Sequence, residues 1–148
     1  MLDKKTVFKC VEAELKRKTD EIQLQFDDLQ NSLLNETKSS AGDKHETGRG
    51  MVQLEQEKLA KSLTQVTLLR NALSKVKPYE SHDVIQYGSL VQTSNGYFFF
   101  SVGLGKIQVE DQDVFCMTAT SPLGQKLLGK RKGEHIQMNT SIEILDLI

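Results

Sequence analysis

Gly42-Asp43-Lys44-His45-Glu46 places two carboxylates three residues apart in a stretch almost without apolar side chains. On a helical turn positions i and i+3 share a face, so Asp43 and Glu46 could point at one cation. Two carboxylates alone hold Mg²⁺ weakly, because that ion surrenders its waters reluctantly. The same acids also read as solvated loop charges, and Asp43 as the N-cap of a following helix. Lys44, His45 and Arg49 add cations suited to phosphate contacts, although exposed loop charges are ordinarily only solvated.

Other reactive groups are scattered. His45, His82 and His135 stand too far apart, without cysteine or acidic partners at ligand spacing, to argue a zinc site. Cys10 and Cys116 imply neither a disulfide framework nor a metal clamp. Cys116 falls in an expected core strand, where a cysteine behaves as a small hydrophobe. Gly124-Gln125-Lys126-Leu127-Leu128-Gly129-Lys130-Arg131 approaches a phosphate-binding loop, but Arg131 stands where the Mg²⁺-binding Ser or Thr belongs. Gly103-Leu104-Gly105 lacks the third glycine of a dinucleotide fingerprint and is expected to be a turn or bulge.

The elements that would carry these residues are of two kinds. Val7, Val11, Leu15, Ile22, Phe26, Leu29 and Leu33 recur at helical steps, and Val52, Leu59, Val66 and Leu73 recur by heptads. Two such stripes predict an antiparallel helical hairpin with residues 35–50 as its polar tip. Pro78 is expected to end the second helix. Beyond it the period changes to that of strands, over Ser89 to Thr93, Tyr97 to Leu104, Val114 to Thr120, Glu134 to Met138 and Ile142 to Ile148, with Asn95-Gly96 as a hairpin turn. Ser121-Pro122 supplies an N-cap and an N1 proline to a short helix ending at Gly129. Tyr97 to Phe100 alternates, so only every second ring would face the core, leaving the other pair to be covered by the hairpin or to form a patch. The expected fold class is α+β, with a coiled-coil hairpin over 1–77 and a small β-rich domain over 78–148.

With 148 residues the chain has room for one compact domain and an extended element, not for a large multidomain enzyme. Fourteen basic and 12 acidic residues precede Pro78, while 5 and 8 follow it. Neither half carries the basic excess that would bind nucleic acid by charge alone, so a protein partner is the better expectation. No continuous apolar stretch suggests a signal peptide or a membrane span, and with two isolated cysteines this predicts a cytoplasmic protein.

Ser121 to Glu134, reading SPLGQKLLGKRKGE, resembles the SPL-x-x-x-LLGK-x-x-GD signature of the Gre family of bacterial transcript-cleavage factors, with Glu134 in place of the final Asp. Gly42 to Glu46 resembles the family's Asp-x-x-Glu tip. The resemblance spans nearly the whole chain. It implies that the second domain has an FK506-binding-protein-like (FKBP-like) fold without isomerase activity and docks on the rim of the RNA polymerase secondary channel. Ser121, Pro122 and Leu123 of the signature, with the basic turn Lys130-Arg131-Lys132, are its expected partner-binding residues. It also implies that Asp43 and Glu46, near the nascent RNA, help hold a second Mg²⁺ shared with the polymerase and orient the water that cleaves backtracked RNA.

The isolated chain is then expected to need no cofactor, small-molecule substrate or membrane, to catalyse nothing alone, and to be a monomer. After the acidic pair the chain reads Thr47-Gly48-Arg49-Gly50, where the family has Asn and then Glu-Tyr two residues on, and its first helix lacks the usual Arg-Pro pattern. A polymerase-binding regulator that does not stimulate cleavage is therefore an alternative, and a coiled-coil adaptor is another. A prolyl isomerase rests on fold analogy alone.

Overall fold

A computed structural model describes the backbone of residues 1–38 and 42–148 and the side chains of residues 1–35 and 50–148. Two long helices open the chain, α1 (Lys4–Lys38) and α2 (Gly42–Leu73). No glycine or proline interrupts Lys4 to Lys38, so nothing in its propensity stops the helix earlier. α1 accordingly extends into the segment 35–50, which its polar composition reserves for a tip, and α2 begins within it despite Gly42, Gly48 and Gly50 in its first turns. Contacts divide the chain into two compact units, Glu14–Leu68 on one hand and Met1–Ala13 with Leu69–Ile148 on the other.

In the helical unit Leu15, Ile22, Val52, Leu59 and Val66 are buried, as the heptad stripes require. Ile22 with Lys18, and Leu59 with Val66, line one shallow hollow. These positions lie at comparable distances before the end of α1 and after the start of α2, which is the signature of antiparallel pairing. Lys16 with Asp20, and Arg17 with Glu14 and Glu21, form exposed pairs along α1 at 3.0, 2.7 and 3.2 Å. Exposed pairs of this kind favour helix locally but contribute little to stability.

The other unit is built on a six-stranded sheet: β1 (Leu90–Thr93), β2 (Gly96–Phe100), β3 (Gly105–Val109), β4 (Gln112–Met117), β5 (His135–Gln137) and β6 (Ser141–Leu147), in the order β3-β4-β2-β1-β6-β5. A single turn-length helix, α3 (Pro122–Leu127), precedes β5. Pairing is antiparallel except between β2 and β4. The strands differ from expectation at several points, among them β4, which runs from Gln112 to Met117 where Val114 to Thr120 is expected. The strand expected from Tyr97 to Leu104 stops at Phe100, and β3 follows after the bend at Ser101 to Leu104. The β3–β4 turn is formed by Glu110 and Asp111, at φ 49° and 65°, a two-residue left-handed connection. That conformation ordinarily draws Asn or Gly, and its absence from the composition hid the hairpin.

All four residues from Tyr97 to Phe100 are buried, not every second one. Phe98 and Phe100 join Ile85, Val91, Leu127, Ile136, Ile142, Ile144 and Leu147 in one core cluster. On the opposite face Phe99 is fully buried and the Tyr97 hydroxyl accepts a hydrogen bond from the Leu2 amide at 3.2 Å. The Leu2 amide, just ahead of α1, thus reaches the second face, and Val7 and Val11 of α1, Leu73 at the end of α2 and Val76 beyond it are buried in the same unit. α2 ends at Leu73, ahead of Pro78, because the Tyr87 hydroxyl donates to the Ala72 carbonyl and Ser74 Oγ donates to the Asn71 carbonyl at 2.6 Å.

Beside this junction Lys4 is 2% exposed and donates its ammonium to the Glu80 carbonyl at 2.6 Å. Burial lowers its pKa to about 8, against the opposing pull of Glu80. Burial, and then the Lys4 charge, also lower the pKa of His82. His82 Nδ1 lies 2.7 Å from Ser89 Oγ, which accepts from the Gln86 amide at 3.0 Å and keeps its own proton for a neutral imidazole. Between about pH 8 and 10.5 the unfolded chain binds more protons at Lys4 than the folded one. Stability of the wild type relative to Lys4→Met should therefore rise between about pH 8 and 10.5, with a smaller rise at lower pH where His82, relieved of the Lys4 charge in the variant, titrates, as read from urea denaturation at a series of pH values.

Candidate functional site

The segment 118–134 is organised by backbone requirements. Ser121 lies in extended conformation as the N-cap of α3, its Oγ accepting from the Gly124 amide at 3.0 Å and donating to the Thr118 carbonyl at 2.9 Å. Pro122 takes the first helical turn, where a missing amide costs nothing, and Leu123 packs against the core cluster. Gly124 is buried so closely that an added Cβ would stand 2.2 Å from the Thr118 carbonyl oxygen and 2.7 Å from Ser121 Oγ. The helix then closes through the Leu128 amide donating to the Gly124 carbonyl at 2.9 Å, and Gly129 turns the chain out at φ 82°.

Gly129 donates to the Ile85 carbonyl and Ile85 to the Lys130 carbonyl, both at 2.9 Å, which ties the turn to the strap ahead of β1. The basic turn follows directly. The Glu134 carboxylate accepts from the Arg131 amide at 2.5 Å, and Gly133, at φ 90°, donates to the Ile144 carbonyl at 2.8 Å. The acid at position 134 therefore closes the turn that displays Lys130, Arg131 and Lys132. Arg131 and Lys132 are exposed and Lys130 is half-buried. Lys132 lies 3.6 Å from Asp146, so part of this positive charge is locally answered.

Thus Ser121, Pro122, Leu123 and the three basic residues lie at the two ends of one stretch of chain whose middle, Gly124 and Leu127, is buried, and the first three also hold the helix in place. Asp43, Lys44, His45, Glu46 and Arg49 belong to the first turns of α2, so Asp43 lies within the helix and not at its N-cap, and their side chains lie outside the described residues. Gly124 to Leu127 is helical, so the near-match to a phosphate loop has no loop to wrap a phosphate. Burial pushes the Cys116 thiol up to about 12, which removes it as a nucleophile at neutral pH. Among the described residues no cluster of three or more His, Cys, Asp or Glu side chains could hold a metal, and no helix is long and apolar enough to cross a membrane.

A second surface feature was not legible in the sequence. Gln92, Thr93, Asn95, Gly96 and Tyr97 on one side, and Asp111, Gln112, Asp113 and Phe115 on the other, line an open hollow of about 710 Å³. Its walls come from two turns far apart in the chain, and only the parallel β2–β4 pairing brings them together.

No protein-family model matches this chain, and no curated protein matches it. Among solved structures the chain is similar to the transcription factor Gfh1, with 17% identity over 94% of each chain and a TM-score of 0.38. A likeness of that size determines neither fold nor activity.

The close contacts at Gly124 and the double role of Ser121 make both residues structural. Gly124→Ala should cost about 2 kcal/mol or more by forcing the 118–124 backbone apart, and Ser121→Ala about 1 kcal/mol, both read from urea denaturation midpoints.

Proposed function

We propose that the chain is a Gre-type accessory factor of bacterial RNA polymerase, carrying no catalytic site of its own. What supports the reading is the signature segment from Ser121 to Glu134, in a chain whose order is a long helix pair followed by a small sheet unit. Its glycines and capping serine occupy positions that demand those residue types, and its cations are presented together. In this reading the sheet unit is an FKBP-like docking domain. Ser121, Pro122, Leu123, Lys130, Arg131 and Lys132 meet the rim of the polymerase secondary channel.

The helix pair is then a coiled-coil hairpin that carries Asp43 and Glu46 toward the polymerase active centre and the nascent RNA. There the two carboxylates would supplement the polymerase's own ligands around a shared Mg²⁺ and fix the attacking water. Weak affinity for the ion outside the complex fits this role, because a tip that carried its own metal would act away from its target. In this reading the chain acts in the cytoplasm as a monomer.

A second reading is favoured by one specific observation. Thr47-Gly48-Arg49-Gly50 follows the acidic pair where the family has Asn and Glu-Tyr. A factor with the docking residues but an altered tip would occupy the channel and compete with other factors without stimulating cleavage.

RNA cleavage in a stalled, backtracked elongation complex at limiting Mg²⁺ separates the two. Wild type should accelerate cleavage by at least about tenfold, a barrier change of roughly 1.4 kcal/mol, and Asp43→Ala/Glu46→Ala should lose that acceleration while still binding. Binding without acceleration by either protein would assign the competitive role. Absence of binding would remove the polymerase reading.

A further inference from the structure

We infer that the hollow between the β1–β2 and β3–β4 turns is a docking site for a basic, arginine-bearing segment of a protein partner. Its shape follows from the sheet register. Tyr97 pairs with Val114, which brings the preceding residues, Gly96 and Asp113, next to each other. Gly96 contributes no side chain, and nothing lies within 4 Å of where its Cβ would be, so the floor of the hollow is open backbone. Phe115, two residues after Asp113 on the same face of β4, forms a wall; it is 43% exposed, although its ring packs 5.9 Å from that of Phe98.

The electrostatics select the occupant. From Gly105 to Met117 the chain carries Glu110, Asp111 and Asp113 against one cation, Lys106. Lys106 reaches Asp113 only at 3.8 Å, with both side chains about half exposed. A guanidinium lying on the exposed face of Phe115 would gain a cation–π contact and donate in-plane hydrogen bonds to the Asp111 and Asp113 carboxylates. Lys106 is then an internal competitor for Asp113. The acidic rim repels phosphate, which argues for a protein segment and against nucleic acid. The left-handed turn at Glu110 and Asp111 holds its two acids without the glycine that would relieve it. The site is remote in sequence from the signature segment and does not rest on the polymerase reading.

The test is a titration of the ¹⁵N-labelled full chain with the capped peptide Gly-Arg-Gly-Arg-Gly and with its citrulline counterpart. Saturable amide shifts confined to residues 92–97 and 111–115 are expected with arginine and not with citrulline. Phe115→Ala and Asp111→Asn should each weaken binding by about threefold to fivefold, and Lys106→Met should tighten it by a similar factor. Asn accepts the left-handed conformation at position 111, so that variant removes charge without disturbing the turn. Shifts spread over acidic residues elsewhere, an affinity unchanged in Phe115→Ala, equal response to citrulline, or no saturable response at millimolar peptide would each overturn the proposal.

Discussion

Burial of four consecutive aromatic residues, Tyr97 to Phe100, constrains everything else in the sheet unit. A strand shows alternate side chains to opposite faces, so one covered face can hide only two of the four. The face with Phe98 and Phe100 is closed by Leu127 of α3 and by Ile136, Ile142 and Ile144. The face with Tyr97 and Phe99 needs a second cover; the Leu2 amide reaches it, and the buried Val7, Val11 and Leu73 of the helix ends belong to the same compact unit. Each such side chain removed from water contributes about 1.5–3 kcal/mol, so the aromatic strand anchors both layers at once. A small sheet that depends on two covers cannot be separated from the helix ends without exposing Phe99.

That dependence shapes how the proposed function is distributed. Met1 to Ala13 and Leu69 onward form one compact unit with the sheet, and Glu14 to Leu68 form another. The first holds the capped helix and the basic turn, whose geometry is fixed by main-chain bonds to Ile85 and Ile144. The second is held by an apolar seam, and its exposed charge pairs along α1 favour helix only locally. In the proposed role the rigid unit recognises and the helical unit reaches.

Much of this was legible in the residues because period and punctuation agree. Heptads from Val52 to Leu73 and the step pattern from Val7 to Leu33 announce the helices, and burial of Leu15, Ile22, Leu59 and Val66 follows. Ser121-Pro122 and Gly129 mark α3 within a residue of its bounds. The reading failed where tertiary context overrides local chemistry. Glu110-Asp111 makes a tight hairpin without glycine, which concealed β3 and the acidic turn that borders the hollow. The alternation of Tyr97 to Phe100 left open whether the second pair of rings is covered or forms a patch, and burial of all four decides for cover. Lys4 gave no signal at all: a lysine at the start of a charged helix reads as solvated, and only the Glu80 carbonyl explains its burial. The acidic pair at 43 and 46 remains a matter of sequence.

The most direct measurement is a photo-crosslink from position 45, between the two acids, in a backtracked elongation complex carrying radiolabelled RNA. A factor that places this segment in the polymerase active centre should crosslink to the RNA near its 3′ end, and a chain without its docking segment should not. Crosslinks to distant polymerase surfaces alone, or none while the chain remains bound, would contradict the account.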